Sequence, residues 1–361
     1  DVRRVLLLEL VNSDGTRAWS ECVAESLPSY SPDTVDSCWL AISEWLAPRL
    51  AGATFTTPRD VNGALSLGIR GHRMARAALE MGVWALDAER RGLSLAALLF
   101  TESATSRAGG AMPRALVDTG VAIGIQGSAN ELADRARAAV AEGYRRIRIK
   151  IEPGRDVEPA RDVREAVGDA VPVVVDANAS YSLDDTTHVL ALESLDTLGL
   201  WMIEQPLGSE DLVRHAELQR RMRTRLCLDE SITSDARAEE MLRLGSARGV
   251  NLKAGRVGGF TEALAIHDRC TRAGTALWCG GMLETGIGRA YNVALASLPG
   301  FTEPGDLSPS ARYWARDITE PEWTMSATGQ VQVPLERAGI GVAVREDAID
   351  DLTTRRLVIG S

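Results

Sequence analysis

The feature that most constrains this chain is a ladder of strand-sized apolar runs between Gly143 and Gly259, each followed by a helix-sized segment and each ending on a charged residue. The strand cores are 146–151 (RIRIKI), 171–178 (VPVVVDAN), 200–206 (LWMIEQP), 225–231 (RLCLDES) and 250–255 (VNLKAG). Lys150, Asp176, Glu204, Asp229 and Lys253 follow one another at intervals of 24 to 28 residues, room for one strand, one helix and two loops.

Side-chain alternation along a strand says where each residue points. Ile147, Ile149 and Ile151 share one face, and Arg146, Arg148 and Lys150 share the other. Strands of a parallel barrel pack their apolar outer face against helices, so the charged face is expected to look inward. By the same parity Asp176 goes with Val174 and Asn178, Glu204 with Met202, Asp229 with Cys227 and Lys253 with Asn251. Each charged residue lies near the C-terminal end of its run, where barrels carry their chemistry, so all five are expected at one mouth.

Seven or eight strand-plus-helix repeats point to an α/β fold, a (β/α)7β TIM-like barrel with an α+β capping domain. Residues 1–105 read as the N-terminal capping domain, 110–320 as the barrel and 321–361 as a segment returning to the cap. In the first part, 2–10 and 17–23 read as a hairpin around Asn12–Gly15, with helical patterns over 34–50 and 72–91. Residues 101–113 read as a linker and Ala115 to Ile125 as the first barrel strand. Helices are expected near 128–142, 157–168, 182–195, 211–223, 234–244, 259–273 and 288–298, and short strands near 330–334 and 357–360.

The formal net charge of −10 argues against nucleic-acid or anionic-membrane partners, which reward clustered positive charge. The five cysteines show no metal-knuckle or disulfide-framework spacing, which fits reduced thiols in a cytoplasm. No apolar run is long enough for a bilayer. The chain begins at Asp1 without an initiator methionine, so an N-terminal piece is expected to precede it.

Three carboxylates without histidine or cysteine form a hard-oxygen donor set suited to Mg²⁺. Such an ion would seat a substrate carboxylate and stabilise the charge left when a proton departs the adjacent carbon. Lys150 and Lys253, on the flanking strands, would face each other across that carbon. A lysine base needs a lowered pKa, and Arg148 and Arg256 are expected to supply the neighbouring cations that lower it. His267, on a helical apolar face, reads as a packed core residue, and His72, His188 and His215 have no metal-site spacing. Gly255–Gly259 reads as a helix entry, whereas the glycine-rich stretch 280–288 is expected to offer backbone amides to an anion.

The stretches 146–154 (RIRIKIEPG), 175–181 (VDANASY), 203–207 (IEQPL), 227–232 (CLDESI), 251–259 (NLKAGRVGG) and 278–292 (WCGGMLETGIGRAYN) together resemble the enolase superfamily, in its muconate-lactonising branch, and within it the o-succinylbenzoate synthase / N-succinylamino acid racemase family. The resemblance implies Asp176, Glu204 and Asp229 as Mg²⁺ ligands, with Mn²⁺ or Co²⁺ able to substitute, and Lys150 and Lys253 as the acid/base pair. It implies a small-molecule carboxylate substrate and a homo-oligomer. Its implied substrate contacts are Arg148, Asn178, Met282, Leu283, Tyr30 and Tyr313.

Two reactions are implied for this site, dehydration to o-succinylbenzoate in menaquinone synthesis and racemisation of an N-succinylamino acid; Arg256 after Lys253 favours the latter. Other readings are a dipeptide epimerase or cycloisomerase of the same branch, and a non-catalytic barrel lacking its lid. The chain departs from the family pattern in Arg148, where lysine is usual, in Ala122, where serine is common, and in starting about two dozen residues late, short of a lid loop.

Overall fold

The computed structural model describes residues 3–109 and 112–360. Its centre is a parallel sheet of seven strands in chain order: Val121–Ile123, Ile147–Lys150, Val173–Asp176, Met202–Glu204, Arg225–Leu228, Gly249–Leu252 and Ala276–Cys279. Segment 303–307 closes the ring. Glu303 and Asp306 amides donate to the carbonyls of Leu277 and Cys279 on one side, while Gly305 exchanges backbone bonds with Asp118 and Gly120 on the other. The fold is therefore a TIM-like barrel.

Parity works as expected. Ile147, Ile149, Val173, Val175, Ile203, Leu226, Leu228, Val250, Leu252 and Leu277 join the large core between sheet and helices. Val174, Met202, Cys227, Ala276 and Trp278 form a separate cluster inside the ring. Full burial of each aliphatic side chain contributes about 1.5–3 kcal/mol, so a one-residue slip of any strand would exchange that gain for buried charge.

Helices alternate with the strands because their starts carry acceptors. Ser128, Asp156, Asp185, Asp211 and Ser234 cap the helices Ala129–Ala141, Val157–Val167, Thr186–Leu195, Leu212–Arg221 and Asp235–Leu244. Gly245 and Gly274, both left-handed, end the helices before the sixth and seventh strands.

The N-terminal layer is the hairpin Leu6–Val11/Arg17–Cys22, covered by helix Arg73–Arg90 through Met74, Ala78, Met81 and Ala85. Glu80 of that helix accepts from the Phe260 and Thr261 amides at 2.7 and 2.9 Å, so an acidic side chain from this layer caps barrel helix Phe260–Ala273. The tail runs back past the hairpin: Gly339 exchanges backbone bonds with Leu93 and Leu95, and Glu346 reaches Arg17 at 3.2 Å. His267 is fully buried against Phe301 and beside Asp268, a core residue.

Several expected boundaries are corrected. The single strand 115–125 is two: Leu116–Asp118 pairs antiparallel with Gln330–Gln332, and only Val121–Ile123 enters the barrel. The break falls at Gly120, where a Cβ would meet the Arg146 guanidinium at 2.6 Å. The supposed linker 101–113 contains the end of helix Leu95–Glu102 and all of Ala104–Ala108, because Asp268 accepts from Ser103, Thr105 and the Ala104 amide; Gly110 and Ala111 lie outside the described residues, as does Val2 of the hairpin. The helix over 34–50 is a succession of α, π and 3₁₀ turns, Val35–Leu40, Ala41–Leu46 and Ala47–Arg49. Helix Pro58–Ser66, capped at Thr57, was not expected. Residues 357–360 form no strand; Val358 is 82% exposed.

Candidate active site

All five ladder residues meet at the C-terminal mouth. Asp176 pairs in register with Lys150 on one side and Glu204 on the other, so three adjacent strands deliver them side by side. Asp229 stands one residue past its strand. Lys253 stands one residue past Gly249–Leu252, at the start of a short helix, Ala254–Val257, where a continued strand was expected.

Asp176, Glu204 and Asp229 are wholly buried. Lys150 Nζ donates to Asp176 Oδ2 at 2.6 Å and Lys253 Nζ to Asp229 Oδ2 at 2.9 Å. The lysines thus grip the two ends of one row of carboxylates. Arg148 lies beneath the row and shares Asp176 Oδ2 with Lys150: its Nη1 donates to Asp176 at 2.6 Å and to both Glu204 oxygens at 3.0 Å, and its Nη2 pairs with Asp306. Asp306 also holds Arg146, whose guanidinium stacks on Trp278 at 3.7 Å. Arg256 spans Asp229, the Asn251 carbonyl and the Ile232 carbonyl, sharing Asp229 with Lys253.

Charge sets the proton positions. Burial raises the Glu204 carboxyl, and neighbouring Asp176 adds to the rise despite Arg148. Burial acts on Asp176 too, but Lys150 and Arg148 overcome it and hold the carboxyl low. For Lys253 burial favours the neutral amine, yet Tyr30, Glu204 and Glu230 outweigh burial and Arg148, so its pKa is raised. This is opposite to the expected lowering, because Tyr30 and the carboxylates around the ammonium outweigh Arg148.

Of the substrate contacts expected, Tyr30 is at the site: its hydroxyl donates to Asp229 Oδ1 at 2.8 Å and its ring lies 4.2 Å from Lys253 Nζ. Asn178 accepts from Lys150 at 2.6 Å. Met282 packs against the N-terminal core and Leu283 is 43% exposed beside it in the loop after the seventh strand. Tyr313 lies farther out, over Arg289. Ala122 sits opposite Arg148 in the barrel register.

The anion expected at 280–288 is already supplied by the chain. Glu21 accepts from the Thr285 and Gly288 amides at 3.1 and 2.9 Å, and Asp317 from the Gly286 amide at 2.8 Å. Those amides dock the hairpin and the segment just before the tail onto helix Gly286–Ala296. Asp306, Glu230 and Asn251, which donates to Glu204 at 2.7 Å, were not singled out from sequence. Asp306 was within reach, because it ends the eighth rung of the same ladder.

The donor set fits a hard divalent ion: three buried carboxylates on adjacent strands, with neither histidine nor thiolate among them. As they stand the carboxylates are closed on arginine and lysine, and among the described residues no three acidic, histidine or cysteine side chains converge as ligands of one ion.

The C-terminal region, residues 131–348, matches the family model for the enolase C-terminal domain-like fold. The chain is 46% identical over 360 residues to an N-succinylamino acid racemase from an Amycolatopsis species, covering 100% of this chain and 93% of the relative. It belongs to the enolase superfamily. Within that superfamily it falls among the o-succinylbenzoate synthases and N-succinylamino acid racemases, being also 44% identical over 351 residues to the o-succinylbenzoate synthase of Geobacillus kaustophilus, across 97% of this chain and 89% of that one. A superfamily structure from Listeria innocua superposes with a TM-score of 0.87 at 37% identity, covering 96% of this chain and 89% of the other. This superfamily member is an enzyme whose mouth carries two lysines on one row of carboxylates.

Proposed function

We propose that the protein abstracts the α-proton of a small carboxylate substrate, as an N-succinylamino acid racemase, an o-succinylbenzoate synthase of menaquinone synthesis, or both, in the cytoplasm. The observation that carries this reading is the pair of lysines at opposite ends of the carboxylate row. Asp176, Glu204 and Asp229 would hold Mg²⁺, which when bound supplies a Lewis acid for the substrate carboxylate and for the negative charge that develops on it.

Lys150 and Lys253 then do the proton work. One takes the proton from its face of the α-carbon and the other, already carrying a proton, returns one to the opposite face; this is racemisation. In dehydration Lys150 takes the α-proton and gives it back to the departing hydroxyl, which leaves as water from the same face, while Lys253, kept cationic by Tyr30, Glu204 and Glu230, stands by the developing anion. Arg148 holds the carboxylate row from beneath and cannot exchange protons near neutrality.

The test is deuterium exchange at Cα of each enantiomer of N-succinyl-phenylalanine in D₂O with Mg²⁺, followed by NMR. The expected result is exchange of both enantiomers by the wild type, loss of one in Lys150→Ala and of the other in Lys253→Ala, and silence in EDTA. A folded wild type that exchanges neither enantiomer and does not dehydrate the synthase substrate would overturn the proposal.

A further inference from the structure

Glu230 lies between Asp229 and the loop that follows, and its two oxygens are treated unequally. Oε1 accepts from Asn178 Nδ2 at 2.9 Å, whereas Oε2 is buried without a partner. A carboxylate half-satisfied away from water is costly, and nothing in the packing asks for one here. The geometry of its one bond supplies a reason. Asn178 Oδ1 accepts from Lys150 Nζ at 2.6 Å, so the amide of Asn178 is polarised from both ends, with its oxygen toward the ammonium and its nitrogen toward Glu230.

Both ends of this chain are held by backbone in unusual conformations. Asn178 is left-handed, at φ 41°, with its amide on Asp176 Oδ1 at 3.1 Å. Gln205, at φ 37°, uses one oxygen to accept from the amides of Asp229 and Ser231, the two neighbours of Glu230, at 3.1 and 3.2 Å. Non-glycine residues in that region carry strain that the surroundings must sustain, and the two here fix the two halves of one hydrogen-bond chain.

We propose that Glu230 is a positioning residue for Lys150, acting by locking the amide of Asn178 in the orientation that presents its oxygen to the ammonium. The inference rests on Lys150 being one of two opposed bases. Asn178 is exposed at the mouth, so without Glu230 its amide turns over freely. Turned, it aims two N–H donors at a cation and drives Lys150 from its place. Lys253 takes no hydrogen bond from this chain and meets Glu230 only as a charge, which Glu230→Gln removes as fully as Glu230→Ala does, so the loss that sets those two variants apart falls on the Lys150 face.

The experiment compares wild type, Glu230→Ala, Glu230→Gln and Asn178→Leu in the two-enantiomer deuterium exchange with N-succinyl-phenylalanine. The Lys150 face is the one silenced by Lys150→Ala. Glu230→Ala and Asn178→Leu are expected to slow that face about 10- to 100-fold relative to the other, the usual loss when an orienting partner is removed. Glu230→Gln keeps an acceptor for Asn178 Nδ2 and loses the same charge as Glu230→Ala, so its Lys150 face is expected within about threefold of wild type, whatever the Lys253 face loses with the charge. An equal loss on both faces, or a Gln variant as lopsided as the Ala variant, overturns the proposal.

A second measurement stands apart from turnover. In metal-free crystals of Glu230→Ala, Lys150 Nζ is expected beyond hydrogen-bond distance of Asn178; an unchanged contact overturns the proposal even if no enantiomer exchanges. A wild type silent on both faces, with the displacement present, would instead refute the two-base reading while leaving the positioning role intact. Should Glu230→Ala fail to fold, Asn178→Leu carries the same comparison.

Discussion

The two walls of the mouth are built differently although each carries one lysine. The Lys253 wall is dry and roofed: the lysine side chain is 8% exposed, Tyr30 from the N-terminal layer lies over it, and Asp229 ties Lys253, Arg256 and Tyr30 together. At the Lys150 wall the lysine side chain is 32% exposed, held by Asp176 and an exposed asparagine. The Lys253 ammonium is enclosed among carboxylates, whereas that of Lys150 is open to water. The two faces of a bound α-carbon therefore meet unequal partners, and the covered wall depends on contacts between chain segments far apart in sequence.

The hardest test of that contrast is removal of each base. Lys253→Ala should lower exchange on its own face by about 10²- to 10⁴-fold and leave the Lys150 face within a small factor. Equal losses on both faces would break the comparison.

The dependence of the covered wall on docking is tested through Glu21. Burial, aided by Glu284 and opposed by hydrogen bonds from Thr285 and Gly288, pushes its carboxyl up to about 7 from an ordinary 4.5. A carboxyl raised in the folded state contributes stability that is full below pH 4.5 and is lost as pH rises through 7. That loss is on the order of 3 kcal/mol. Denaturant titrations should show it in the wild type and a flatter profile in Glu21→Gln; parallel profiles would deny Glu21 this role.

A smaller effect is expected from Gly280→Ala, since a Cβ there would run into the Asn251 amide oxygen and meet Lys253 Cγ at 2.8 Å. Displacing both is expected to cost roughly 10- to 100-fold in exchange, felt on both faces through the bond from Asn251 to Glu204 and more strongly on the Lys253 face. The smallest concerns the roof. Tyr30→Phe keeps the ring over Lys253 but removes the bond to Asp229, worth about 1 kcal/mol, and should slow the Lys253 face about fivefold. A larger loss on the Lys150 face would show that the roof serves both walls.

Much of this site was legible because a strand writes its geometry into every second residue. Lys150, Asp176, Glu204, Asp229 and Lys253 could be assigned a face, a barrel end and a common destination from parity and spacing. Glycine-rich 280–288 misled for the opposite reason: its amides do bind anions, but which anion they bind is decided by Glu21 and Asp317, far away in the chain. Arg148 was assigned the correct face but not its partners Glu204 and Asp306, because parity gives direction and not reach. Its long side chain found Asp306, from the segment that closes the ring. The break at Gly120 was hidden for a similar reason, since only the Arg146 side chain arriving from the next strand requires it.

The sequence by itself determined the repeating α/β architecture, the inward charged face and the identity of the groups at the mouth, all of which follow from local periodicity and from side-chain chemistry that needs no partner. Tertiary structure alone decided how those charges pair, which lysine is roofed, and the orientation of Asn178 between Lys150 and Glu230. Those depend on distances of a few ångströms between segments tens to hundreds of residues apart, and electrostatic energy in a buried site varies steeply over such distances.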